Sequence, residues 1–76
     1  MDTPVKEVDA TGLDCPMPLL LAKRALNAMD AGQRLLLRAT DSTAQRDFQV
    51  FTEKTGHRLV SVEEEQGVYT FLIEKS

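Results

Sequence analysis

Apolar and polar residues interrupt one another over Val5-Lys6-Glu7-Val8-Asp9-Ala10, which predicts a short, edge-like strand with no long apolar run. Thr11-Gly12 then punctuates the chain. From Pro16 to Met29 the period changes. Leu19, Ala22, Leu26 and Met29 recur at steps of three and four while Lys23, Asn27 and Asp30 lie elsewhere on the wheel, the pattern of a first helix. Asp30-Ala31-Gly32 is expected to close it with Gly32 as a left-handed cap, and Leu35-Leu36-Leu37-Arg38-Ala39 follows as a buried strand. Thr40-Asp41-Ser42-Thr43 offers N-cap oxygens for a second helix, in which Ala44, Phe48, Phe51 and Thr55 share a stripe up to a stop at Gly56. Arg58 to Glu64 and Val68 to Glu74 read as a hairpin around Glu65-Gln66-Gly67.

The order is βαβαββ. Strands separated by helices imply a mixed sheet, and two helices can cover only one of its faces. The expected fold class is therefore α/β, a two-layer sandwich with two helices packed on one face of a four-stranded mixed sheet. The last strand is apolar at nearly every position and belongs inside the sheet, whereas the third fades into Glu63-Glu64-Glu65 and belongs at an edge. Tyr69, Phe71 and Ile73, joined by Val60 and Val62, are assigned to the core. Leu36, Arg38, Val68 and Leu72 then fall on the open face, as a surface for self-association or partner docking.

A chain of 76 residues has room for one domain, taken as residues 1–76, with a core too thin to enclose a deep active site. Hydrophobic content of 42% with 28% charged residues excludes intrinsic disorder. The net charge of −3 has the wrong sign for tracking a phosphate backbone, so no direct nucleic-acid partner is expected. Neither a signal peptide nor a membrane span is evident, and a lone cysteine suits a reducing compartment, which points to the cytoplasm.

That cysteine carries the chemical interest. In Cys15-Pro16-Met17-Pro18 the prolines mark a helix start, because the first turn tolerates residues without an N–H. The helix begins at Pro16 or at Pro18, and the Met17 N–H is the expected donor nearest the sulfur. Either way Cys15 lies at or just before the N-cap, beside the polar run Thr11-Gly12-Leu13-Asp14 that favours exposure over burial. The helix field favours the thiolate and Asp14 opposes it, so a moderately activated thiol is expected.

Other candidates are weaker. His57 stands 42 positions from Cys15 and reads as a solvated loop residue, and two potential ligands fall short of a zinc site, so no metal and no resident cofactor are expected. Asp41, Arg46 and Asp47 are taken as caps and local pairs of the second helix. Lys23 and Arg24 are ordinarily a solvated face, with a docking role if they lie close to Cys15. Glu63-Glu64-Glu65 reads as a solubilising edge, and Phe48 and Phe51 as core.

Gly12-Leu13-Asp14-Cys15-Pro16-Met17-Pro18, followed by a Leu-rich helix, Gly32, a strand, Thr40-Asp41-Ser42 and Arg46-Asp47, resembles the TusA/SirA-like sulfur-carrier family from about Val8 to Lys75. The resemblance implies the same βαβαββ sandwich and a Cys15 that accepts a sulfane sulfur as a transient persulfide. The donor it implies is a cysteine desulfurase or related protein, and the acceptor a downstream relay protein, as in tRNA thiolation, sulfur oxidation, or thiosulfate or selenium metabolism. Gly12 would permit the preceding turn while Pro16, Met17 and Pro18 shape the loop. Asp14 departs from the basic residue that the best-known carriers place before the cysteine. Such a carrier acts through protein partners, as a monomer or weak homodimer. Two readings without sulfur chemistry stand beside it. One is a regulatory or interaction module, indifferent to Cys15→Ser. The other is an RNA-binding domain of similar strand and helix order, opposed by the acidic balance and the single Tyr.

Overall fold

The computed structural model describes residues 5 to 76. Its elements run β1 (Val5–Ala10), α1 (Met17–Asn27), β2 (Arg34–Ala39), α2 (Ala44–Thr55), β3 (Arg58–Glu65) and β4 (Val68–Glu74), in the expected βαβαββ order. The sheet order is β1-β2-β4-β3, with β1 parallel to β2 and the other two pairs antiparallel. β4 is thus internal and β3 lies at an edge, as its acidic end predicts. No helix among the described residues is long and apolar enough to cross a membrane.

Alternation decides which face each strand buries. Leu35, Leu37 and Ala39 of β2, Phe71 and Ile73 of β4 and Ala10 of β1 are all fully buried under the helices. Leu36, Arg38, Val68 and Leu72 are only half-buried and point the other way, as expected. The core closes on Phe48 of α2, whose ring centroid lies 4.5 Å from that of Phe71. Such a pair adds about 0.5–1.5 kcal/mol beyond area burial.

The edge strand β3 departs from simple alternation. Its pairing with β4 slips between Leu59 and Ser61, so Val60 is the extra residue of a bulge. A bulge inverts the in-and-out phase of the residues beyond it. Consequently Leu59 and Val62 pack on the core, rather than the expected Val60 and Val62. The hairpin turn is the two-residue loop Gln66-Gly67, with φ of 51° and 80°, the left-handed pair that matches strand twist.

The first helix ends differently from the periodicity's forecast, and the second buries a different last residue. α1 starts at Met17, between the two expected starts, with Pro16 as N-cap, and it stops at Asn27 instead of Met29. Gly32 is not its cap. The C-cap is Ala28, still right-handed, and the carbonyls of Leu26 and Met29 accept from Lys75 Nζ at 2.6 Å each. A cation arriving from the end of β4 therefore satisfies acceptors that a left-handed glycine would otherwise cover. In α2 the buried stripe is Ala44, Phe48, Phe51 and Thr52, while Thr55 stays exposed, because the four-residue step from Phe48 reaches Thr52. Thr52 Oγ1 donates to the Phe48 carbonyl at 2.9 Å, which makes its burial tolerable. Gly56 ends α2 as predicted, left-handed at φ 83° with its N–H on the Thr52 carbonyl.

Candidate functional site around Cys15

The parallel pairing of β1 with β2 sets the site. Ala10 and Ala39 are register partners at the C-terminal ends of these strands, so Thr11–Pro16 and Thr40–Thr43 leave the sheet side by side. In open α/β sheets this end of the parallel strands is where loops gather function. Gly12, at φ 79°, turns the chain there and donates its N–H to Thr40 Oγ1 at 2.8 Å.

Asp41 joins the two loops. Its Oδ1 accepts from the N–H and hydroxyl of Thr43 at 3.0 and 2.9 Å, and its Oδ2 accepts from the Cys15 N–H at 2.6 Å. These bonds hold the Asp41 carboxyl below its ordinary value, the Thr43 N–H contributing most. Thr43 itself is the N-cap of α2 but makes no side-chain capping bond, so the expected cap is absent and Asp41 instead closes a turn onto Thr43.

The Cys15 side chain is exposed, and its Sγ donates to Asp47 Oδ2 at 3.2 Å. That hydrogen bond to a carboxylate is the main cause pushing the thiol above its ordinary pKa. Local loss of hydration and the charges of Asp47 and Asp41 push the same way, and the Thr43 hydroxyl pushes back. This corrects the expectation of an activated thiol: the helix start favours an anion, but two carboxylates already occupy its field. Asp14 is not the opposing group. The Met17 N–H does not face the sulfur either; it donates to the Asp14 carbonyl at 2.8 Å in the turn that launches α1. The Cys15–Pro16 peptide bond is cis, Pro18 is buried and Met17 is 43% exposed.

Asp41 and Asp47 therefore hold Cys15 rather than serving as the expected side-chain caps of α2. Sequence reasoning read them locally because their contacts with Cys15 span 26 and 32 positions. The available signal was topological, since a parallel β1–β2 pair must bring both βα loops to one end.

Lys23 and Arg24 are separated by α1. Lys23 lines a groove of about 370 Å³ between the two helices with Leu19, Arg46, Asp47, Val50 and Lys54, and its Nζ lies 5.7 Å from the centre of the Phe51 ring. Because Asp47 also holds the Cys15 sulfur, this groove opens beside the thiol. Arg24 faces the other flank, toward β1. His57 Nδ1 accepts the Ser76 N–H at 3.1 Å, at the chain's C-terminal end and away from Cys15.

Comparison with known proteins gives this arrangement a lineage. The family model described as Sulfurtransferase TusA matches residues 6–75. The chain is similar to the sulfur carrier protein TusA of Allochromatium vinosum, at 49% identity over 93% of each chain. It is also similar to the sulfur carrier protein TusA of Pseudomonas putida, at 38% identity over 96% of this chain and 91% of the relative. Among solved structures, the SirA-like protein of Desulfitobacterium hafniense matches with a TM-score of 0.81 and 26% identity, over 93% of this chain and 96% of that one. With nearly the whole described chain matched in sequence and in fold, the protein belongs to the TusA family of sulfur carriers.

Proposed function

We propose that Cys15 is the sulfur-bearing atom of a persulfide relay. The observation that carries this reading is an exposed thiol at the junction of β1 and α1, with both loops of the parallel strand ends gathered around it. In loading, the Cys15 thiolate attacks the terminal sulfur of a persulfide on a donor protein, a cysteine desulfurase or another sulfane-sulfur donor. The new bond is Cys15 S–S, the bond broken is the donor's S–S, and the donor thiolate leaves. Delivery reverses the roles toward a relay acceptor. Oxidation states are exchanged between the two cysteines, so no outside oxidant is needed. A reducing compartment, the cytoplasm, keeps such an unpaired thiol available.

Asp47 is a positioning residue here. It keeps the free carrier's sulfur protonated and therefore weakly reactive, since the thiolate is the nucleophile. A cationic group on the donor neutralises Asp47 on docking and releases the thiol to react. Gly12, Asp14, Pro16, Met17 and Pro18 set the loop, and Lys23, in the groove that shares Asp47, contributes to donor docking. Intact-protein mass spectrometry after incubation with a cysteine desulfurase and cysteine tests the reading. Wild type should gain one sulfur atom, removable by a reductant, and Cys15→Ala none. Wild type left unmodified by several active donors would exclude it.

A further inference from the structure

The two margins of the sheet are unlike each other. β3 is interrupted by its bulge and ends in Glu63-Glu64-Glu65, the devices by which an edge resists pairing. β1 runs through six consecutive partners of β2 with no irregularity, and its other side pairs with nothing among the described residues. Beside that free side, a depression of about 240 Å³ separates β1 from α1. Val8, Leu21, Ala25 and Ala28 line it, and the exposed Lys6 and Arg24 flank it. The ion pairs among the described residues are Arg34–Glu74 and Arg38–Glu7, so Lys6 and Arg24 have no carboxylate partner there.

We propose that the free edge of β1 and this groove form a strand-addition site for an extended acidic segment of a partner protein. The backbone of the segment would pair with β1. Since side chains on one face of a strand recur every second residue, an apolar residue would enter the groove while carboxylates two positions on either side meet Lys6 and Arg24. Charge on the groove face selects the occupant. Glu7 and Asp9 lie on the other face of β1, so a second copy of this chain would bring only Lys6 and apolar residues of its β1 to the groove, whereas an acidic segment neutralises both cations. Arg24 lies roughly 10–15 Å along the helix axis from Cys15. A segment held on β1 therefore leaves the thiol open, and the site acts as a tether.

The proposal is independent of sulfur chemistry at Cys15, and its test reads binding alone. The probe is a short threonine peptide carrying glutamate, valine and glutamate at alternate positions, titrated into the ¹⁵N-labelled full chain. Amide shifts should concentrate in Val5–Ala10 and Leu21–Ala28, and Lys6→Glu with Arg24→Glu should weaken binding by about tenfold. Both positions are exposed, so the variant's amide spectrum should stay dispersed. A peptide N-methylated at every second backbone nitrogen, in each of the two phases, should bind poorly in the phase that blocks pairing. The proposal fails if the double variant binds equally well, if neither methylated phase matters, or if the shifts map to the Lys23 groove. It fails too if β1 amides shift with protein concentration alone, because the occupant would then be a second copy.

Discussion

A thiol that donates to a carboxylate is stabilised in its neutral form, and removing the carboxylate's charge weakens the acceptor and removes the repulsion. For Cys15 the relevant partner is Asp47, at 3.2 Å. Asp47→Asn should therefore lower the Cys15 pKa and quicken iodoacetamide alkylation at neutral pH, about threefold to tenfold. The pH profile of labelling checks it, and Asp14→Asn should leave that profile near wild type. A midpoint that follows Asp14 instead of Asp47 would contradict the geometry. The exposure of Cys15 was legible because two prolines announce a helix start. Its electrostatic setting was not, because the residues that decide it lie on another helix and only the closed sheet brings them near.

Among the elements, the loops before α1 and α2 are fastened by one carboxylate. The folded-state pKa of Asp41 lies below 3.8, so its contribution to stability is present above 3.8 and is lost as pH falls through the folded value. The difference in urea midpoint between wild type and Asp41→Asn should be largest near neutrality and shrink below pH 3.8. A difference constant with pH would mean the carboxylate's charge plays no part. The strands offer a second contrast. Leu37→Ala opens a cavity in the core and should cost about 2–5 kcal/mol, whereas Leu36→Ala, on the open face, should cost less than half as much. Equal losses would mean the faces are assigned wrongly. Alternation made that assignment readable in β2 and β4. In β3 the bulge broke the period, and nothing in Leu59-Val60-Ser61 marks where a strand will slip against a neighbour.

At the scale of the whole molecule, Lys75 ties the end of the chain to the end of α1. Lys75→Met should cost roughly 1.5–3 kcal/mol, the range for hydrogen bonds to a charged group, and should speed amide exchange at the α1 C-terminus ahead of its start. Exchange rising evenly along α1 would contradict a local clamp. No periodicity reveals this contact, since its partners stand 46 and 49 positions apart. The pairing registers also sort charge along the sheet. Ala10, Ala39, Tyr69 and Glu64 are linked in successive pairs, which puts Glu64 and its neighbours at the same end as Asp14, Asp41 and Asp47, while Lys6, Arg58 and Lys75 gather at the opposite end, where Arg34 is paired with Glu74. The sheet is thus polar along its strands, with an acidic end beside the sulfur and the Lys23, Arg46 and Lys54 cations along the groove that shares Asp47. In the field of a basic surface the molecule turns before it touches, so the thiol arrives leading and fewer encounters are wasted on wrong orientations.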